Sequence, residues 1–211
     1  MKKTDLHPLP LRVWHWANAL LVLILMITGI QLRIEGVADL GPRSTSLLLH
    51  RYVGWAATAS CIFWLVYSLT SRHLHRNYVF RRKDFQGIFR QARFYLFSMF
   101  RGEENPFRPS PEGKFNPLQK LAYGAIMCVF TPVLVVTGVL LNETFLFRKL
   151  ILQWNIVGVL NALHVFGAYV FALYLVVHIY MATLGRTPFS HIKAMIVGYD
   201  EEPDPPGGER A

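Results

Sequence analysis

Four stretches of this 211-residue chain are long and apolar enough to cross a lipid bilayer, and nothing else in the sequence narrows its possible folds as sharply. A helix needs about 20 predominantly apolar residues to span the hydrocarbon core. Residues 13–32, 47–69, 121–141 and 156–184 meet that length. Three of them carry no Asp, Glu, Lys or Arg, and the second carries only Arg51 near its start. Inside hydrocarbon each segment must satisfy its own backbone N–H and C=O groups. The expected fold is therefore all-α: an integral membrane four-helix bundle, with residues 1–211 forming a single transmembrane domain. A chain that is 53% hydrophobic and 17% charged is too apolar for an ordinary soluble domain. Residues 1–12 are polar, and the apolar run after them is too long for a signal peptide and lacks a small-residue cleavage site, so the first span is expected to stay.

The net charge of +9 would suggest nucleic acid in a soluble protein, but in a membrane protein the question is which loops hold the cations. Four spans put both termini on one side. Grouping the N-tail, the 71–120 connection and the C-tail gathers 17 of the 22 Lys and Arg residues and leaves Arg33, Arg43, Arg51, Arg148 and Lys149 opposite. The positive-inside rule then places both termini and the long loop in the cytoplasm. No nucleic-acid partner is implied. Within the loop, Asp84 is expected to cap an interfacial helix carrying Phe85, Ile88, Phe89, Tyr95 and Phe100 among Arg90 and Arg93, which would lie on the membrane lipid. Residues 102–111 and the Pro- and Gly-rich tail 202–211 are expected to be irregular. Cys61 and Cys128 sit in separate spans without a C-x-x-C or C-x-x-C-H pattern, which reads as packing rather than covalent haem or zinc.

His15, His50, His164 and His178 lie in or at the edges of the spans, where an ionisable side chain is costly and faces the bundle interior. His164 and His178 are 14 residues apart in one uncharged span, so they share a face to within roughly 40° and stand about 21 Å apart along the axis. By chain direction His15 and His178 lie towards the cytoplasm, and His50 and His164 towards the outside. Two pairs at two depths suit two planar iron macrocycles, each clamped axially by two imidazoles. A zinc or di-iron site would need three or more ligands at one depth, often with carboxylates, which these spans lack. The competing reading is interhelical hydrogen bonding. Gly54, Gly167 and Ala168 would leave room for a flat cofactor. His73 and His75 read as interfacial and solvated; His7 and His191 carry no signal. Thr28-Gly29 recurs as Thr137-Gly138, and Leu49-His50 as Leu163-His164. This is either a trace of two related hairpins or the ordinary recurrence of small residues in membrane helices.

The segments L-R-V-W-H-W-A-N-A-L (11–20), I-T-G-I-Q-L (27–32), L-H-R-Y-V-G (49–54), F-N-P-L-Q-K-L-A-Y (115–123), L-H-V-F-G-A-Y (163–169) and V-V-H-I-Y-M-A-T-L-G (176–185) resemble the bacterial di-haem cytochrome b family. That family comprises formate dehydrogenase gamma subunits and the cytochrome b subunits of nickel-iron hydrogenase and thiosulfate reductase. The likeness runs from about residue 11 to 198. F-N-P-L-Q-K and the 187–199 tail lean towards thiosulfate-reductase-like and multihaem-cytochrome-associated members. The resemblance implies two non-covalent b-type haems on the four histidines, and a quinone site near the cytoplasmic haem involving Asn116, Gln119 and Lys120. Asn116 followed by Pro117 is equally what a helix start wants. Arg12 and Arg51 would either pair with haem propionates or anchor the helices at the interface.

The function expected is a transmembrane electron conduit. A periplasmic-side iron-sulfur or multihaem cytochrome subunit, with a catalytic subunit behind it, would exchange electrons with one haem, and menaquinone or ubiquinone with the other. The chain shows no catalytic acid, base or nucleophile arrangement of its own. The alternative is a haem-free membrane anchor or small transporter whose histidines are structural or relay protons.

Overall fold

The computed structural model describes residues 2–5, 7–34, 36–37, 41–71, 74–75, 78–107, 115–143, 147–185 and 187–202. Its four membrane-length helices are α1 (Leu9–Arg33), α2 (Arg43–Thr70), α4 (Pro117–Asn142) and α6 (Val157–Ala182). Between them lie α3 (Arg82–Arg93) and the short α5 (Arg148–Gln153), and α7 (Ser190–Val197) follows. The protein is an all-α membrane bundle whose one departure, among the described residues, is a two-stranded antiparallel ribbon. In it β1 (Lys2–Asp5) pairs with β2 (Tyr199–Glu202), Lys2 opposite Glu202 and Asp5 opposite Tyr199.

Burial is inverted relative to a water-soluble bundle. Leu20 and Leu173 are exposed by 60% and 67%, whereas Thr28, Ser68 and Thr137 are buried. Lipid is as apolar as leucine, so leucine gains little by hiding, while polar side chains must find partners inside. Three helices start four residues before the apolar stretches expected from sequence, α1 at Leu9, α2 at Arg43 and α4 at Pro117, and α6 stops two residues short of 184. Hydropathy detects only the part of a helix that sits in hydrocarbon, while the helix itself continues into the interface, where water satisfies its polar turns.

Contacts divide the chain into two compact units. One comprises Trp14–Tyr67 and Gly124–Val176. In it the Trp14 indole N–H donates to the Ser60 carbonyl at 3.0 Å, and the Ser60 hydroxyl donates to Asn18 Oδ1 at 3.0 Å. Ser46 donates to Gln31 Oε1 and Gln31 Nε2 to the Gly41 carbonyl, closing the α1–α2 connection. Helix α4 carries a π-helical turn, Ile126–Phe130, just ahead of Pro132. Proline has no N–H to donate and its ring crowds the carbonyl four residues back, which a wider turn relieves.

The second unit comprises Met1–Val13, Ser68–Tyr123 and Val177–Ala211. Here α3 runs into a π turn (Phe94–Ser98) and a 3-10 turn (Met99–Arg101) that ends at Gly102, whose φ of 71° is left-handed. The amphipathic loop helix is present, with Phe85, Phe89, Leu96, Phe97 and Phe100 exposed. Two expectations are corrected. Asp84 is not the cap residue but the third residue of the helix: its Oδ2 accepts the Arg81 N–H at 2.8 Å. Tyr95 does not join the exposed apolar face, because its hydroxyl turns inward to accept from Asn116 Nδ2 at 3.0 Å. Both follow from polar groups seeking buried partners. His73, residues 108–111 and the tail from 203 onward lie outside the described residues.

Candidate haem site

His50 enters from α2 and His164 from α6, with ring centres 6.3 Å apart and planes inclined by 73°. Two imidazoles that bind one metal from opposite sides, each nitrogen about 2 Å from it and each ring centre about 1 Å further back, stand about 6 Å apart. The observed 6.3 Å is compatible with that spacing. The neighbouring helix of each hairpin backs the ring. Thr28 Oγ1 is 2.9 Å from His50 Nδ1 and 2.7 Å from the Ile24 carbonyl. Thr137 Oγ1 is 2.9 Å from His164 Nδ1 and 2.6 Å from the Val133 carbonyl. A glycine follows each threonine against the ring: a Cβ on Gly138 would stand a tight 3.2 Å from His164 Cε1, and one on Gly29 3.4 Å from His50 Cε1, in ordinary contact. The Thr-Gly and Leu-His repeats in the sequence are thus one structural device used twice. The histidines could be picked out from sequence as single ligands, but the threonines behind them could not, since a Thr in a membrane helix more often bonds its own preceding turn.

His178 lies in α6 with its ring 5.9 Å from that of Tyr123, and Tyr123 in turn meets Phe115 edge-on at 4.8 Å. His15 lies in α1 against Trp16, 5.3 Å between ring centres. The residues expected around quinone gather at the start of α4. Asn116 Oδ1 accepts the Gln119 N–H at 2.8 Å while Gln119 Oε1 accepts the Asn116 N–H at 3.1 Å, a reciprocal cap. The helix-start reading of Asn116 is therefore present in the structure. The Tyr95 phenol is ringed by the Asn116, Gln91 and Asn105 amides; burial pushes its pKa up, and those hydrogen bonds pull it the other way. Lys120 is held by Asp84 at 2.8 Å and by the Val79 carbonyl at 3.3 Å, and faces the Phe80 ring. Sequence did not connect Asp84 with Lys120, which are 36 residues apart with no shared motif.

Among the described residues, neither arginine near a histidine meets a carboxylate. Arg12 Nη1 donates to the Ile196 carbonyl at the end of α7, while its Nε is buried without a hydrogen-bond partner. Arg51 Nε donates to Asn142 Oδ1. The paired His50 and His164 imidazoles suit an iron between them, and separately the orphaned Arg12 N–H suits a carboxylate such as a propionate; these residues fit haem. What they define is a membrane-embedded b-type cytochrome. The chain belongs to the prokaryotic cytochrome b561 family, whose model matches residues 6–198. It is 30% identical to a protein of Escherichia coli (strain K12) named as cytochrome YdhU, over 94% of this chain and 75% of that one. It is 26% identical to a protein of Cupriavidus necator named as a Ni/Fe-hydrogenase B-type cytochrome subunit, over 94% of this chain and 87% of that one. Family membership and four apolar helices make it a multi-pass, electron-transporting membrane protein with b-type haem, which displaces the haem-free anchor reading.

Proposed function

We propose that the chain is a di-haem subunit of the inner membrane that relays electrons between the quinone pool and a partner redox subunit. The observation that carries this is the His50–His164 pair, opposed at 6.3 Å inside the membrane and backed by hydroxyls on both sides. His15 and His178 hold the second haem. When bound, haem supplies a one-electron couple that the low-dielectric bundle separates from water. The chain's own residues do the rest. Four imidazoles would hold the two haems, Arg12 and Arg51 would offer N–H groups to propionates, and Asn116 and Gln119 would border the quinone, with Lys120 held by Asp84 beside them. The Lys and Arg distribution supports a reading with the termini and quinone site towards the cytoplasm and the His50–His164 haem towards the periplasm. The partner is an iron-sulfur or multihaem cytochrome subunit with a catalytic subunit behind it, in keeping with a relative named as a hydrogenase cytochrome subunit.

Reduced-minus-oxidised visible spectra with pyridine haemochromogen quantitation on the purified chain test this. Two low-spin b haems per chain are expected. One haem, or none, sinks the di-haem reading.

A further inference from the structure

We infer that Thr28 and Thr137 are positioning residues that lock the outer haem's two ligands in one tautomer and lower that haem's midpoint potential; this rests on the His50–His164 haem proposed above. A threonine hydroxyl has one hydrogen. Oxygens 2.7 Å and 2.6 Å apart, as between Thr28 and the Ile24 carbonyl and between Thr137 and the Val133 carbonyl, require that hydrogen between them, since a carbonyl oxygen offers none. Each hydroxyl therefore donates backwards along its own helix, and its 2.9 Å contact with the imidazole is left with only its lone pairs. The proton in that contact comes from the histidine: Nδ1–H donates to Thr28 Oγ1, and likewise from His164 to Thr137. With Nδ1 protonated, Nε2 of each neutral ring keeps its lone pair for iron. Loss of the hydroxyl would remove the acceptor that stands 2.9 Å from Nδ1.

The same bond has an electronic consequence. An acceptor on the far side of a ligand ring raises the ring's basicity, which favours the more positive ferric iron over ferrous. Because one helix of each hairpin supplies a Thr-Gly pair and the other a ligand, the effect acts from both faces of the macrocycle alike. Each threonine is buried, so the bond is shielded from solvent competition.

The test compares Thr28→Val and Thr137→Val, which keep side-chain shape, with Thr28→Ser and Thr137→Ser, which keep the hydroxyl. Potentiometric titration followed by electron paramagnetic resonance reads each haem separately. At the wild-type midpoint, each valine variant should raise the ferrous-to-ferric ratio of the outer haem about threefold or more, as expected for one hydrogen bond. The double variant should raise it further, the serine variants should restore it, and the inner haem should not move. Loss of the outer haem in the valine variants alone would also support the inference. Unchanged outer-haem potentials in both valine variants, or equal shifts in valine and serine variants, overturn it. A wild-type chain without low-spin haem would instead bring down the haem reading. Nitrogen-15 NMR of His50 and His164 in the full chain would then decide the hydrogen bonding, with Nε2–H in either ring overturning it.

Discussion

At the residue scale the tightest constraint is the space around the ligand rings. Gly138 and Gly29 occupy equivalent positions but differ in tolerance: an added Cβ would meet His164 Cε1 at 3.2 Å and His50 Cε1 at 3.4 Å. The second is ordinary van der Waals contact, while the first forces the ring to give. Gly138→Ala should therefore weaken haem retention and broaden the low-spin signal, whereas Gly29→Ala should leave both near wild type. Haem content per chain and electron paramagnetic resonance linewidth check this, and equal effects would contradict it. A second residue-scale expectation concerns Asp84 and Lys120, whose side chains are 9% and 10% exposed. Removing one partner strands a buried charge, so Asp84→Leu alone should cost about 3 kcal/mol, while Asp84→Leu with Lys120→Met should recover most of it. Thermal unfolding in detergent is the measurement. The meeting of His50 and His164 was legible in the sequence, because a titratable group in a membrane span has few reasons to be there. The Asp84–Lys120 pair was not, because only the fold brings the two together.

At the scale of elements, what hydropathy encodes was recovered and what tertiary contacts decide was not. All four spans and the loop helix were legible. The extra turns at Leu9–Arg12, Arg43–Ser46 and Pro117–Lys120 were not, because they are interfacial and carry polar residues. Nor was the β1–β2 ribbon, whose strands are four residues each and nearly 200 apart in sequence. The start of α4 shows how a structural and a functional role can share residues. Asn116 and Gln119 cap the helix reciprocally, and the Asn116 amide also reaches Tyr95. Asn116→Ala with Gln119→Ala should cost about 1 kcal/mol of stability through the lost cap. If these residues border quinone, the same variant should also slow haem reduction by quinol in stopped-flow absorbance while both haems stay bound, since neither residue is a ligand. Normal quinol kinetics per folded molecule would leave only the cap.

For the molecule as a whole, the di-haem reading proposed above turns on how four candidate ligands would be shared between two haems. His164 and His178 lie on one face of α6, about 21 Å apart along its axis, so one helix serves both levels. The partner of His164 is His50, which in the reading proposed above leaves His15 for His178. Substitutions should therefore fall into two classes. Removing one axial imidazole deletes an iron bond and opens a cavity, so the affected haem should be lost or turn high-spin, while its neighbour about 20 Å away keeps its spectrum. His50→Ala and His164→Ala should abolish one low-spin signal in a redox titration followed by electron paramagnetic resonance, and His15→Ala and His178→Ala the other. His75→Ala, at an exposed loop position, should abolish neither. If His15→Ala and His50→Ala removed the same signal, the division by depth would be wrong, and so would the orientation of the relay across the membrane built on it.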